Sequence, residues 1–370
     1  MGSRLANGRL AGAALLTIIV AGLEPAQGQS VVLKPKLAPG STFYVELHQV
    51  CDRKVTGGSC KAEGTETRIE WIFGARQTVE SLPDDSCRIH LVYDRLGFSF
   101  ESRSAQEKKE SWSFDSDFDG PNEGTPELAE VLLPMLGKPM VMELDDEIHV
   151  KSFTGMKEIF ESIEKSVGDN PFIGGWKVGL SDEASRAIWG DARMVLFSNK
   201  DVVVGDTWQR GYRQPCASAG PLRFDYDCHV KEIAQVDGRE IALVAYHAKI
   251  TPSPGDDENG SQIGSFAVEN LSGVFEGVGT FDVELGDFVV DTGKLTLTID
   301  FVLPSSEGGD PQTLKVEQVC DVVTRVLTVA QRDEQRNENL AKAKERRRQR
   351  EQQLADKKNV PQISASPPRK

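Results

Sequence analysis

Long runs of alternating or β-branched residues dominate the chain and restrict its fold more than any other feature. The run STFYVELHQV alternates, with Phe43, Val45 and Leu47 on one face, and RIEWIFGARQTVESL and CRIHLVYDRLGFSF follow it. The turn sequence PDDS separates the last two runs. A period of two is typical of strands that bury one face. The runs therefore predict long antiparallel strands, joined as a meander that curves over a core.

The middle of the chain has a helical pattern instead. TPELAEVLLPMLGK places Thr125 at an N-cap, Pro126 at the first helical position and Gly137 beyond the end, which are typical helix boundaries. MKEIFESIEKSVG and SDEASRAIWGDARMVLFS predict two further helices, and KPMVMELDDEIHVKSF predicts a hairpin after the first helix. The β pattern then returns in FDYDCHVKEI, REIALVAYHAKI and KLTLTIDFVL.

Two stretches resemble each other, KLAPGSTFYVEL at 36–47 and DVVVGDTWQRGY at 201–212. Each has an apolar lead, a glycine, a small polar pair that ends in threonine, and an aromatic residue. The glycine supplies a positive φ, Ser41 or Asp206 closes the turn, and Phe43 or Trp208 anchors a strand in the core. The pattern predicts a degenerate tandem duplication.

Together these patterns predict a mainly β (α+β) fold. We expect two tandem curved antiparallel β-sheet units around a helical insert, followed by a C-terminal charged helix. The expected segments are a signal peptide at 1–28, a first sheet unit at 29–124, a helical insert with a hairpin at 125–200, a second sheet unit at 201–330, and a charged helical or disordered tail at 331–370.

The N-terminus predicts export. Arg4 and Arg9 precede an uncharged apolar run from Leu10 to Leu23, which is shorter than the ~20 residues that a membrane span needs. The sequence Ala26-Gln27-Gly28 is typical of a cleavage site. We therefore expect a secretory signal peptide, a mature protein that begins near Gln29, and a periplasmic or extracellular location.

Six cysteines in an exported chain predict disulfides rather than thiol catalysis. Cys51 and Cys60 flank a Gly-Gly turn, and Cys216 and Cys228 flank a Gly-Pro sequence. The spacing favours these two local pairs. It leaves Cys87 and Cys320 as a third pair that joins distant parts of the chain.

Charge is distributed unevenly along the chain. The formal net charge is −14, but residues 331–370 carry twelve Lys or Arg and six Asp or Glu. An acidic body repels nucleic acid and anionic lipid surfaces, so nucleic acid is not an expected partner of the core. The basic tail, in contrast, is able to contact anionic polymers. Its composition predicts a solvated helix, because large apolar residues are nearly absent from it.

One acidic segment, DSDFDGPNEGTPE, is a candidate calcium site. Asp115, Asp117, Asp119 and the following glycine match the start of an EF-hand loop. The match fails at the twelfth position, where proline replaces glutamate, and Glu123 is the candidate for completing a looser oxygen cage. The alternative is a solvated acidic turn without metal, and no other cofactor is expected.

The remaining motifs do not predict catalysis. SIEK at 162–165 has the spacing of a serine acyl enzyme, but the companion motifs are missing. GVGTF at 277–281 lacks the helix and third glycine of a dinucleotide site. The histidines are isolated, and neither HExxH nor GxSxG occurs.

Several motifs taken together resemble a known family. APGSTFYVEL, SFDSD, LLPMLGKPMVMEL and VVVGDTW are similar to sequences of an uncharacterised family of exported bacterial proteins, a domain of unknown function. The resemblance spans residues 31–330 and excludes the cysteines and the charged tail. It implies a secreted, β-rich fold, and it brings no catalytic residue that could be transferred to this chain.

Three functions remain open from the sequence. The first is a non-enzymatic exported protein that binds a ligand or partner in the cell envelope. The second is a carrier of lipid or another apolar ligand, since curved sheets with helical lids can enclose a cavity. The third is a hydrolase that uses paired carboxylates. A concave apolar face that stays unfilled would favour the carrier, and two convergent carboxylates with raised pKa values would favour the hydrolase.

Overall fold

The fold is seen in a computed structural model, which describes residues 30–57, 64–83, 86–104, 110–118, 127–168, 173, 177–216, 219–253, 267–303 and 312–358. The expected signal peptide and the end of the tail lie outside these ranges. So do Cys60, Asp119, Glu123 and the expected helix cap at Thr125 and Pro126.

Strands make up most of the described chain, which confirms the mainly β prediction. The strands before residue 160 are β1 (Val31–Val32), β2 (Thr42–Gly57), β3 (Thr65–Ser81), β4 (Cys87–Ser104), β5 (Glu110–Asp115), β6 (Pro139–Leu144) and β7 (Val150–Thr154). Those after it are β8 (Asp201–Val202), β9 (Thr207–Gln214), β10 (Leu222–Val236), β11 (Arg239–Pro252), β12 (Ala267–Asp282), β13 (Asp287–Leu303) and β14 (Gln312–Thr328). Strands β2, β3 and β4 contain 16 to 18 residues, about three times the usual length.

Among the described residues, twelve strands form one antiparallel sheet. Its order is β7-β6-β4-β3-β2-β14-β13-β12-β11-β10-β9, with β5 beside β4. The first long strand, β2, pairs with the last, β14, along its whole length. The two predicted units therefore share one sheet, and the prediction of two separate units is not confirmed. Pairing β2 with β14 satisfies backbone groups that would otherwise lie at an open sheet edge.

The two similar sequence stretches form the same turn. Gly40 N donates to Val79 O at 2.8 Å, and Gly205 N donates to Val230 O at 2.8 Å. In return the carbonyls of Ser41 and Asp206 accept hydrogen bonds from the same two valines. Both glycines have positive φ, at 74° and 94°. The positive φ predicted for both glycines is therefore confirmed, whereas the duplication of whole units stays a prediction.

The insert contains short helices. They are α1 (Glu127–Leu132), α2 (Met156–Val167), α3 (Asp182–Arg186) and α4 (Ala192–Met194), with a π-helical turn at Ala187–Asp191 between the last two. The predicted stripe of α2 is confirmed, since Met156, Ile159, Phe160 and Ile163 are at most 4% exposed. Ser181 caps α3 by accepting a hydrogen bond from Ala184 N at 3.2 Å. The predicted hairpin is β6–β7.

The insert packs against one face of the sheet, which we call the inner face. On the β4 side, Trp189 of the insert shares a core with Val45 of β2 and Tyr93 of β4. On the β12 side, the ring of Phe197 lies 6.1 Å from that of Phe281 and 5.0 Å from that of Phe288. The insert thus joins two apolar clusters, one in each half of the sheet. Alternate residues of each strand point to the opposite, outer face.

A long C-terminal helix, α5 (Val329–Lys358), packs on the outer face. Arg332 is 2% exposed and binds Asp117 through Nη1 and Nη2 at 2.8 and 2.9 Å. Its Nε donates to Asp94 of β4 at 2.8 Å. Asn339, about two helical turns further along, donates to the same Asp117 at 3.1 Å. The predicted charged helix is confirmed. Its description as solvated is wrong for the segment from Arg332 to Ala343, because polar side chains rather than an apolar stripe attach it to the sheet.

A second arginine extends this ionic cluster beneath the helix. Arg95 of β4 donates to Glu46 of β2 at 2.7 Å and to Asp115 at 2.7 Å. Gly74 stands between Arg95 and Glu46 in the row of paired residues, and a side chain there would crowd Arg95. Gln335 of α5 donates to Glu46 as well. Arg95 and Arg332 thus form ion pairs with four buried or half-buried carboxylates, those of Glu46, Asp94, Asp115 and Asp117.

Candidate functional site

The inner face carries a ladder of aromatic side chains across β3, β4 and β5. Trp112 lies 4.6 Å from Phe98, and Phe98 lies 3.9 Å from Trp71, measured between ring centroids. Phe100 lies 5.9 Å from Trp112, and the ladder continues through Phe73 towards the insert. Trp71, Phe73, Phe100 and Trp112 are each only partly buried. This half of the inner face therefore keeps accessible apolar surface.

A second aromatic ladder lies in the other half. Tyr212 of β9 stacks on Phe224 of β10, with ring centroids 4.9 Å apart and planes 4° apart. Tyr226 follows at 6.0 Å from Tyr212, and Tyr246 and Phe275 extend the ladder to β12. Tyr212 and Phe275, at its two ends, are partly exposed.

Two glycines allow Tyr246 to reach a carboxylate. Gly277 of β12 and Gly293 of β13 continue the cross-strand row of Tyr246. A Cβ at either glycine would collide with the phenol oxygen. In the space that they leave, the phenol donates to Asp291 Oδ1 at 2.9 Å.

Asp291 is an unusual carboxylate for a strand. It keeps some accessible surface, but it lies deep among the strands of the inner face. Desolvation raises the pKa of Asp291 to about 7, although the hydrogen bond from Tyr246 lowers it in part. Desolvation also raises the pKa of Tyr212 and of Tyr226, and those two phenols are hydrogen bonded to each other. Asp291 therefore changes its charge near neutral pH.

A cleft of about 510 Å³ lies where the two edge strands of the sheet approach each other. Its walls come from edge strand β7, from the insert between α3 and α4, and from edge strand β9. The lining residues are His149, Val150, Glu183, Arg186, Asp191, Met194, Val195, Arg210, Gly211, Tyr212 and Arg213. Tyr212 belongs both to this cleft and to the second aromatic ladder.

Cations exceed carboxylates in the cleft. Arg186 Nε lies 3.2 Å from Asp191 Oδ2. Desolvation raises the pKa of Asp191, and Arg186 offsets part of that increase. Arg210 is half-buried, and no ion pair joins it to any residue within the described ranges. Sequence reasoning missed this cleft, because its residues come from three separated segments with no motif in common.

The described members of the predicted calcium site have other partners. The carboxylate of Asp115 binds the guanidinium group of Arg95, and the carboxylate of Asp117 binds that of Arg332. Desolvation raises the pKa of Asp115 more than Arg95 lowers it. For Asp117, the hydrogen bonds from Arg332 and Asn339 outweigh desolvation and lower the pKa. No metal-binding cluster occurs among the described residues, and the calcium site, with Asp119 and Glu123, stays a prediction.

The disulfide differs from the predicted framework. Cys51 of β2 and Cys320 of β14 are directly opposite each other and form a disulfide, with Cα atoms 4.0 Å apart. The predicted pairs Cys51–Cys60 and Cys87–Cys320 are therefore wrong. The pair Cys216–Cys228 is wrong too, because Cys228 is a buried free thiol whose Sγ lies 3.9 Å from Val195 O. The spacing of cysteines along the sequence favours disulfides that close short loops. It carries no information about a pairing between the first and last long strands.

Comparisons with known proteins show no relative by sequence. No family model matches the chain, and no curated protein matches it. Among solved structures, lipovitellin, described for its lipid–protein interactions, matches 79% of this chain with a TM-score of 0.40 and 6% identity. That match covers 26% of the lipovitellin chain.

Two outer-membrane proteins also match with low scores. The outer membrane protein OprG of Pseudomonas aeruginosa matches 80% of this chain and 100% of its own, with a TM-score of 0.21 and 7% identity. An outer membrane channel of Pseudomonas putida F1 matches 83% of this chain and 100% of its own, with a TM-score of 0.18 and 8% identity. Scores this low carry no argument about function. None of the described helices combines the length and apolar composition that crossing a bilayer requires.

Proposed function

We propose that the protein binds and carries an apolar ligand on the inner face of its curved sheet. The observation that carries this proposal is the first aromatic ladder, in which Trp71, Phe73, Phe100 and Trp112 remain partly exposed on the face that elsewhere forms the core. Aromatic side chains bury large areas on contact with a ligand, and small-molecule sites are mostly apolar.

The position of the ladder supports the proposal. The insert covers one end of the inner face, where Leu91, Tyr93 and Phe160 are at most 2% exposed. Further along the same strands, Phe100 and Ile69 keep accessible surface. Each fully covered apolar side chain contributes about 1.5–3 kcal/mol, so an apolar ligand would gain free energy by covering them.

The proposal places the protein in the cell envelope or outside the cell. The disulfide Cys51–Cys320 is compatible with an oxidising compartment. The resemblance to an exported bacterial family and the expected signal peptide are predictions from the sequence, and both agree with this proposed location. A carrier of this kind is non-enzymatic.

The test combines native mass spectrometry with a neutral fluorescent probe. Protein purified from its own host should carry a co-purifying apolar molecule. After delipidation it should bind N-phenyl-1-naphthylamine, and Phe100→Ser should weaken that binding several-fold. Val319→Ser is the matched control, because Val319 is 37% exposed on the opposite face of the sheet. Circular dichroism checks that both variants fold. Equal probe binding by the two variants, or none by the wild-type protein, would contradict the proposal.

A further inference from the structure

The cleft between the edge strands is lined by both arginine side chains and apolar side chains. Three arginines (Arg186, Arg210 and Arg213) and two carboxylates (Glu183 and Asp191) contribute to its lining, so formal positive charge is in excess even with His149 neutral. Val150, Met194, Val195 and the ring of Tyr212 supply the apolar part of the lining. A small concave site with few charges and much apolar surface is typical of a small-molecule site.

Arg210 is the most informative of these residues. It lies between Trp208 and Tyr212 on β9, and these three residues point to the inner face. Trp208 is 9% exposed and donates to Val195 O at 3.1 Å. Arg210 itself is half-buried, yet it forms no ion pair with any residue that the structure describes. Partial desolvation of a guanidinium without a counter-charge is unfavourable, so an anion in the cleft would gain a strong partner.

The rest of the molecule narrows the choice of anion. Residues 29–330 are strongly acidic overall, which disfavours a polyanion such as nucleic acid on this body. The cleft is large enough for a headgroup and part of a chain, but not for a polymer. Tyr212 begins the second aromatic ladder. An aliphatic chain that extends away from the arginines would therefore contact apolar surface directly.

We propose that this cleft binds the anionic headgroup, a carboxylate or a phosphate ester, of an amphiphile whose hydrocarbon chain packs on Tyr212 and Met194. The inference rests on the proposed function and specifies its ligand class. Arg210 binds the headgroup oxygens, and Arg186 stays with Asp191.

The experiment compares amphiphiles that have similar hydrocarbon chains and differ in the headgroup, which is anionic in two of them and neutral in the third. Palmitate, hexadecyl phosphate and the neutral ester methyl palmitate are titrated into the delipidated full-length protein by calorimetry. Wild type should bind palmitate or hexadecyl phosphate about tenfold more tightly than the ester, which corresponds to ~1.4 kcal/mol. Arg210→Gln should remove this difference. Arg223→Gln should preserve it, because Arg223 is exposed on β10 and is paired with Asp225 at 2.8 Å. Thermal unfolding checks that both variants fold.

Each other outcome overturns a defined part. If the acid and the ester bind equally and Arg210→Gln changes nothing, the headgroup site is wrong and the apolar carrier stands. If none of the three amphiphiles binds, the carrier proposal fails as well. Acetate and inorganic phosphate are the remaining arms. If either binds as tightly as the amphiphile with the same headgroup, the chain does not pack on Tyr212 and the inference is wrong.

Discussion

Arg332 and Asp117 are 215 residues apart and form a buried ion pair with two contacts, at 2.8 and 2.9 Å. Both side chains are at most 4% exposed. The pair connects the first turns of α5 to the segment that follows β5, on the outer face of the sheet. Because an isolated charge is costly in such a place, the position of α5 depends on both partners being present.

Replacing Arg332 should therefore destabilise the protein strongly. Arg332→Met leaves the buried Asp117 and the half-buried Asp94 without their shared cation, and we expect a loss of about 3–5 kcal/mol in the free energy of unfolding. Arg336→Met is the control on the same helix, since Arg336 is exposed, and it should change the value by less than about 0.5 kcal/mol. Urea denaturation measures both. Similar losses in the two variants would contradict the role of the pair.

Truncations should divide α5 into an attached part and a free part. Removal of 331–370 deletes Arg332 and Asn339 and should lower the thermal midpoint by at least about 6 °C, given ~2–4 °C per kcal/mol. Removal of 351–370 leaves all the described contacts of the helix with the sheet and should have little effect. Differential scanning calorimetry distinguishes the two. An unchanged midpoint after the longer deletion would show that α5 does not hold to the sheet in solution.

Mapping under non-reducing conditions should find Cys51 linked to Cys320. The double variant Cys51→Ser, Cys320→Ser should lose about 2–5 kcal/mol of stability, because the disulfide closes a very long loop. Cys87→Ser, which removes a half-buried free thiol, serves as the control and should lose much less. Recovery of a Cys51–Cys60 peptide would contradict the arrangement of strands β2 and β14.

Asp291 should make stability depend on pH in an unusual direction. Its pKa is raised to about 7 in the folded protein and is ~3.9 in an unfolded chain, so the folded state binds the extra proton between these values. The stability that protonated Asp291 contributes is fully present below about pH 4. It is lost progressively as the pH rises from about 4 through 7. Asp291→Asn removes this loss while still accepting the hydrogen bond from Tyr246. It should raise the thermal midpoint clearly more at pH 8 than at pH 5, because most of the loss occurs between these two pH values.

The control for Asp291 is an exposed carboxylate on the same sheet. Asp321→Asn, on the outer side of β14, should shift the midpoint equally little at both pH values. If Asp291→Asn has the same effect at pH 5 as at pH 8, Asp291 does not titrate in this range.

Local chemistry explains which parts of the fold the sequence predicted. The stripe of α2, the cap at Ser181 and the positive φ of Gly40 and Gly205 depend on residues within a few positions of each other, so the pattern is readable from the sequence. The mainly β class follows from alternation in the same way.

Long-range pairing explains what the sequence did not predict. Nothing near Cys51 indicates that Cys320 lies opposite it, because antiparallel register between distant strands is set by the whole sheet. The attachment of α5 was missed for a related reason: Arg332 looks like any solvated arginine until Asp94 and Asp117 are brought beneath it. Arg210 and the cleft depend equally on the approach of β7 and β9.

The pairing of β2 with β14 also means that β2 is synthesised long before its partner strand. Cys51 and Cys320 are 269 residues apart, so at ~5–20 residues per second the ribosome needs roughly 13–54 s to pass from one to the other. During that interval one edge of β2 has no partner from its own chain, and an unpaired apolar edge is a template for aggregation. Chaperones that hold extended apolar segments are therefore the factors on which the yield of this fold should depend most.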